Sequence, residues 1–98
     1  MSYQRFQLIA NGYRSSMKNG EILPAQCRAA RALISMSQKD LAAAAGLGQS
    51  TVIDFERERR QVSAASINAL RATLEKHGVS FIDAKGGGVG VCLRADRR

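Results

Sequence analysis

Residues 37–60 have the sequence SQKDLAAAAGLGQSTVIDFERERR, and this stretch decides the fold. Ser37 is a good helix cap, so a short helix is predicted over residues 38–45. Gly46 ends that helix, because glycine adopts the left-handed backbone conformation at little cost. A second helix is predicted over residues 49–58. Two short helices joined by a glycine-containing turn indicate a helix-turn-helix.

The side chains of these two helices suit a close crossing. Ala42 and Ala45 are small enough for the helix axes to approach each other, and Leu41, Val52 and Phe55 anchor both helices to a core. The outward face of the second helix is then polar, with Gln49, Ser50, Asp54 and Arg57 on it and Ile53 at its edge. A helix with such a face fits the major groove of B-DNA, where its first residues meet base edges.

Two further helices are predicted on either side of this pair. The earlier one covers residues 25–34 and follows Pro24, which suits the first helical position. The later one covers residues 64–77, after the capping candidate Ser63, and Gly78 stops it. Their apolar stripes consist of Cys27, Ala30 and Ile34 in the earlier helix and Ile67, Leu70 and Leu74 in the later one.

The C-terminal part changes from helical to alternating periodicity. Residues 79–82 and 89–93 are β-prone, and the glycine-rich link 83–88 between them suits a hairpin turn. Because an isolated hairpin is marginal in water, it must either pack on the helices or pair with a second copy of the chain. The predicted fold class is therefore all-α, with four helices and a small C-terminal β-hairpin.

The charge of the chain points to a polyanionic partner. Its 98 residues allow one domain with tails, and 15 Lys and Arg against 8 Asp and Glu give a formal net charge of +7. The excess of positive charge is spread over the whole chain. We divide the chain into a flexible basic arm (1–22), a helix-turn-helix domain (23–78), and a hairpin with a basic tail (79–98). Nucleic acid and an anionic membrane surface both fit this charge.

Several other classes of protein lack support in the sequence. No run of about 18 apolar residues is present, so no membrane span is predicted. Cys27 and Cys92 form no CxxC pair and His77 is the only histidine, so no metal site is expected and both thiols are predicted to be reduced. The GGGVG run at residues 86–90 lacks the lysine and the following helix of a phosphate loop. We predict no enzyme and no cofactor.

The ordered set of residues in 37–60 resembles the XRE-type helix-turn-helix, the phage lambda repressor-like DNA-binding domain. The matching positions are Gln38, Leu41-Ala42, Ala45-Gly46-Leu47, Ser50-Thr51-Val52 and Phe55-Glu56. The preceding CRAARALISMS (27–37) is similar to the first helix of that family. A narrower resemblance, over residues 23–94, is to small bacterial regulators of this type that end in a short hairpin. The resemblance implies a compact lambda-repressor-like fold and DNA binding.

The resemblance also implies roles for individual residues. The implied DNA-contacting residues are Gln38, Lys39, Gln49, Ser50, Thr51, Asp54, Arg57 and Arg60. Among them Gln49 and Ser50 would read base edges, and Asp54 would accept a hydrogen bond from cytosine. Gln38, Arg57 and Arg60 would contact the phosphate backbone. Arg31 and Glu56 occupy positions that commonly form a buried ion pair between the first and third helices.

Three residues depart from the family pattern. Gly48 stands where a Ser or Thr usually caps the third helix, and Val62 stands where proline is common. Glu58 replaces a frequent glycine, which removes an easy left-handed stop and makes the end of the third helix hard to place.

The predicted function is sequence-specific DNA binding by a small bacterial transcriptional regulator, by default a repressor. We expect a homodimer, with the 79–94 hairpin as its candidate interface, and a cytoplasmic, nucleoid-associated location. An alternative is an antitoxin or another protein-binding module, in which DNA binding serves autoregulation. A third hypothesis gives the N-terminal arm a role at a membrane surface, but two glycines and weak helical periodicity argue against it.

Overall fold

The computed structural model describes residues 21–83 and 88–94. Four helices and an antiparallel hairpin make up this part of the chain, so the predicted fold class is confirmed. The elements are α1 (Pro24–Ile34), α2 (Gln38–Ala45), α3 (Gln49–Arg57), α4 (Ala64–Lys76), β1 (Val79–Ile82) and β2 (Gly90–Leu93). Most of the predicted N-terminal arm, the tip of the hairpin and the last four residues lie outside the described residues. No helix of the described part is long and apolar enough to cross a membrane.

Helices α2 and α3 begin where the sequence predicts. The Ser37 hydroxyl accepts a hydrogen bond from the backbone N–H of Asp40 at 2.9 Å, which caps α2. Gly48 caps α3 without a side-chain bond. Gly46, between the two helices, has a φ of 73°, and this conformation lets the chain turn directly from one helix into the other.

The end of α3 lies one residue earlier than predicted. Glu58 is not helical: it adopts the left-handed conformation itself, with a φ of 57°. The backbone N–H of Arg59 then donates to the carbonyl of Asp54 at 2.9 Å, and that of Glu58 to Phe55 at 3.2 Å. These two bonds satisfy carbonyls at the helix end in the usual Schellman pattern. Although position 58 has no glycine, α3 therefore still ends in a left-handed turn, and Glu58 adopts it.

Helix α4 also ends one residue earlier than predicted. It ends at Lys76, and His77 is its cap rather than its last helical residue.

One apolar core joins the helices to the hairpin. Its largest fully buried side chains, apart from one glutamate, are Leu41, Leu70, Leu74, Val52, Val79 and Cys27. Ile22 is also buried in this core, so the packed domain begins within the segment that we assigned to the arm. Val79 belongs to the core as well, so the hairpin is an integral part of the domain rather than an appendage.

Gln26 of α1 holds the hairpin against the helices through hydrogen bonds. Its side-chain amide donates to the carbonyl of Ile82 at 3.1 Å and to that of Gly90 at 3.0 Å. Its carbonyl oxygen accepts from the backbone N–H of Leu23 at 2.8 Å. Because Gln26 is buried, these three bonds compensate the cost of removing its amide from water. Of the two alternatives for the hairpin, the structure shows packing on the helices.

Candidate DNA-binding surface

Helix α3 is divided sharply between a buried and an exposed side. Val52, Phe55 and Glu56 are buried against the rest of the domain. Gln49 and Ser50, the first two residues of the helix, are fully on the exposed side. The N-terminus of α3 therefore presents two neutral polar side chains to the outside.

The orientation of α3 depends on a buried carboxylate, that of Glu56. Only 1% of this side chain is exposed, and Arg31 of α1 binds it in a bidentate manner. The Arg31 Nε donates to Oε2 at 2.8 Å and Nη2 donates to Oε1 at 2.8 Å. Two parallel charge-assisted hydrogen bonds of this kind constrain the angle as well as the distance between the groups. They fix α3 against α1.

Three further residues surround Glu56, and none of these contacts was predicted from the sequence. The Gln38 amide of α2 donates to Oε1 at 3.0 Å, and the Cys27 thiol donates to Oε2 at 3.0 Å. The Arg28 guanidinium donates to the backbone carbonyl of Glu56. The helical spacing of Cys27 and Arg31 was the only available signal, since residues four apart share one helix face.

These contacts determine the protonation of the cluster. Burial alone would raise the pKa of Glu56, but hydrogen bonds from Arg31, Cys27 and Gln38 outweigh it and lower the pKa below its ordinary value of 4.5. Burial and the adjacent carboxylate raise the pKa of the Cys27 thiol far above its ordinary value. The hydrogen bond to Glu56 raises the pKa of Arg31. The cluster is thus a carboxylate, a guanidinium and a neutral thiol.

Gln38 lies at the start of α2, where the resemblance implied a phosphate contact. In the structure its amide nitrogen is bonded to Glu56, which leaves one N–H of that amide for another acceptor. The adjacent Lys39 is exposed. The phosphate contact of Gln38 stays a prediction.

Exposed arginines lie at the last position of α3 and in the turn that follows it. Arg57, Arg59 and Arg60 are exposed, and Arg60 folds back onto the helix. Its Nε binds Asp54 Oδ2 at 2.8 Å, and its Nη2 lies 3.4 Å from the Thr51 hydroxyl. Asp54, which was expected to face cytosine, is therefore paired with an arginine of its own chain.

The comparison with protein families agrees with this geometry. A family model described as helix-turn-helix matches residues 28–80, more than half of the chain. The chain belongs to the XRE-type helix-turn-helix family. This XRE-type protein is accordingly a DNA-binding regulator, and its family is one of regulatory domains rather than of enzymes. No curated protein matches the sequence.

The Arg31→Ala variant tests how much the buried pair stabilises the domain. We expect it to lower the free energy of unfolding by about 3–5 kcal/mol, because Glu56 would stay buried without its counter-ion. The matched control is Glu75→Ala, which breaks the partly exposed Arg71–Glu75 pair on α4. That change should cost less than about 1 kcal/mol. Equal losses for the two variants in urea unfolding would contradict the assigned importance of the buried pair.

The lowered pKa of Glu56 predicts a particular dependence of stability on pH. A carboxylate with a lower pKa in the folded state stabilises the fold fully above its ordinary value of 4.5, and this contribution is lost as the pH falls through the folded-state pKa. The Glu56→Gln variant lacks this titration. Unfolding free energies measured between neutral and acidic pH should therefore fall more steeply for the wild type than for Glu56→Gln. Parallel profiles would show that Glu56 makes no such contribution.

Proposed function

We propose that this XRE-type protein is a sequence-specific transcriptional repressor that places α3 in the major groove of an operator. The observation that carries the proposal is the split between the two sides of α3. Its inner side is held by Val52, Phe55 and Glu56, while Gln49 and Ser50 stay exposed at its N-terminus. A recognition helix needs this division, because its inner side must be rigid for its outer side to read bases.

Gln49 and Ser50 have the chemistry for base reading. A glutamine amide has a donor and an acceptor that match N7 and the N6 amino group of adenine, and a serine hydroxyl can donate or accept. Neither residue has a hydrogen bond through its side chain to another described residue, so both are available to a ligand. Both are neutral, so they approach the DNA without electrostatic repulsion.

Basic residues on either side of α3 supply the contacts to phosphates. Arg57 and Arg59 are exposed at the C-terminal side of α3, and Lys39 is exposed at the start of α2. Cations in these places neutralise phosphates on either side of the groove, which gives affinity without sequence preference. A protein seated in this way blocks access of other proteins to the same DNA, so repression follows from occupancy alone.

A second copy of the chain would complete the operator contact. The hairpin has three large apolar side chains that are about half exposed, namely Ile82 (48%), Val89 (41%) and Leu93 (48%). Its sheet has two strands, so each strand has one edge without a strand neighbour in the described part of the chain. Apolar contact or edge pairing between two identical hairpins joins the copies about a two-fold axis. The two recognition helices then meet half-sites about 34–36 Å apart.

Substitutions in α3 and after it separate base reading from phosphate contact. The double variant Gln49→Ala with Ser50→Ala should lose affinity for the operator while keeping most of its affinity for unrelated DNA. Arg57→Ala should weaken both and reduce the salt slope by about one unit. The operator is first selected from a random DNA pool, and dissociation constants are measured at several salt concentrations. Equal losses on all sequences for the double variant would contradict base reading by Gln49 and Ser50.

The dimer is tested by changing exposed side chains, because deleting the hairpin would remove Val79 from the core. Ile82→Glu combined with Leu93→Glu should convert a dimer to a monomer in light scattering. The matched control is Leu33→Glu, which alters a similarly exposed leucine (41%) on α1 and should leave the mass unchanged. A monomeric wild type would contradict the dimer. The apolar hairpin would then fit a different protein, which is what the antitoxin alternative requires.

A further inference from the structure

The Asp54–Arg60 pair lies on the side of α3 that faces away from the core. Arg60 Nε binds Asp54 Oδ2 at 2.8 Å, and the side chains are 51% and 21% exposed respectively. Thr51, one turn before Asp54 on α3, accepts a longer contact of 3.4 Å from Nη2. The guanidinium therefore spans one turn of the recognition helix on its accessible surface.

The backbone after α3 explains how Arg60 reaches this position. Glu58 adopts the left-handed conformation and reverses the chain at the end of the helix. Arg60 follows two residues later, and its side chain extends back along α3 toward the N-terminus of the helix. The arginine is thus a loop residue by sequence, but its charged group belongs to the face of the recognition helix.

Some N–H donors of Arg60 are used within the protein, and two stay available to a ligand. A guanidinium has five N–H groups, one on Nε and two on each Nη. Nε is used by Asp54, one Nη2 hydrogen by Thr51, and one Nη1 hydrogen by the carbonyl of Gln61 at 3.5 Å. One N–H on each Nη atom then has no partner among the described residues. The two Nη atoms lie side by side at the end of the side chain, so a free N–H on each acts as a fork for two adjacent acceptors.

Charge distinguishes between the two acceptors that such a fork can meet on DNA. The net charge of the Asp54–Arg60 pair is zero, so it attracts a phosphate only weakly, and the Asp54 carboxylate would repel the phosphate. The edge of guanine is uncharged and has two adjacent acceptors, O6 and N7, which match a parallel fork. The carboxylate therefore favours the base over the backbone.

We propose that Arg60 reads a guanine in the operator through its two outer N–H groups, and that Asp54 is the positioning residue that holds it in place. The inference rests on the proposed placement of α3 in the major groove. It assigns Arg60 to a base instead of the phosphate implied by the resemblance, and it removes Asp54 from direct contact with cytosine. The operator should accordingly contain a G·C pair at a fixed distance from the bases read by Gln49 and Ser50.

The experiment compares the full-length wild type with Arg60→Ala, Arg60→Lys, Asp54→Ala and the control Arg59→Ala, each selecting DNA from a random pool. The wild type should select one guanine per half-site. The three variants at positions 54 and 60 should no longer select this guanine, but they should still select the other bases of the operator. Arg60→Lys keeps the charge but not the fork, so its failure to rescue distinguishes base reading from a phosphate contact. Arg59→Ala should keep the selected sequence and only reduce the salt slope. Thermal unfolding of each variant shows that the domain is folded.

A second measurement replaces the selected guanine with 7-deazaguanine, which lacks the N7 acceptor. The wild type should lose about tenfold in affinity, and Arg60→Ala should lose nothing further, since it makes no contact there. An unchanged base preference in Arg60→Ala, or a uniform loss on all sequences that Arg60→Lys restores, would overturn the inference. A wild type that selects no sequence at all would instead overturn the proposed DNA reading itself, so the two failures are distinguishable.

Discussion

The carboxylate of Glu56 is buried on the inner side of α3, and the placement of α3 depends on hydrogen bonds to this carboxylate. A buried charge without partners costs several kcal/mol, so the fold is stable only when the donors from α1 and α2 are in place. Arg31 and Cys27 come from α1, and Gln38 comes from α2. An apolar contact tolerates a small rotation of a helix about its axis, whereas a bidentate ion pair does not. Polar bonds on the buried side of α3 therefore fix the direction in which Gln49 and Ser50 point.

Helix α1 has a second polar contact of the same kind near its other end. Gln26 is buried and bonds to carbonyls of both strands, so it fixes the hairpin as Arg31 fixes α3. The surfaces that we propose for DNA and for a second copy are thus both positioned by α1. A rigid connection of this type is what a dimeric DNA reader requires, since the spacing of its two recognition helices must match the helical repeat of the DNA.

Local features of the chain were predictable because they depend on near neighbours. The cap of α2 by Ser37 and its end at Gly46 follow from residues within a few positions, and both are present in the structure. The end of α3 was less predictable, because glutamate rarely adopts the left-handed conformation. At Glu58 the cost of that conformation is offset by the hydrogen bonds that close the helix and by the packing on either side of the turn.

The contacts that position the proposed DNA-binding and dimer surfaces were not predictable in the same way. Gln26 and Gln38 are glutamines on amphipathic helices, and such residues are usually exposed. Here Gln26 is buried and Gln38 is half-buried, because carbonyl and carboxylate groups from elements far along the chain accept their hydrogen bonds. Asp54 and Arg60 are close in sequence, yet their pairing needs the chain reversal at Glu58, which no pattern of residue types indicates.

The sequence by itself determined the order of the helices, the turn at Gly46, the polar face of α3 and the hairpin, since each depends on short-range periodicity and backbone preference. The family resemblance added the expectation of a pair between Arg31 and Glu56. Only the tertiary structure decided the full set of partners of that glutamate, the burial of Ile22 and Val79, and the folding of Arg60 onto α3. The buried contacts arise where separate elements exclude water together, so their strength depends on that shared burial rather than on the residue types alone. The exposed Arg60 contact arises instead from the chain reversal at Glu58.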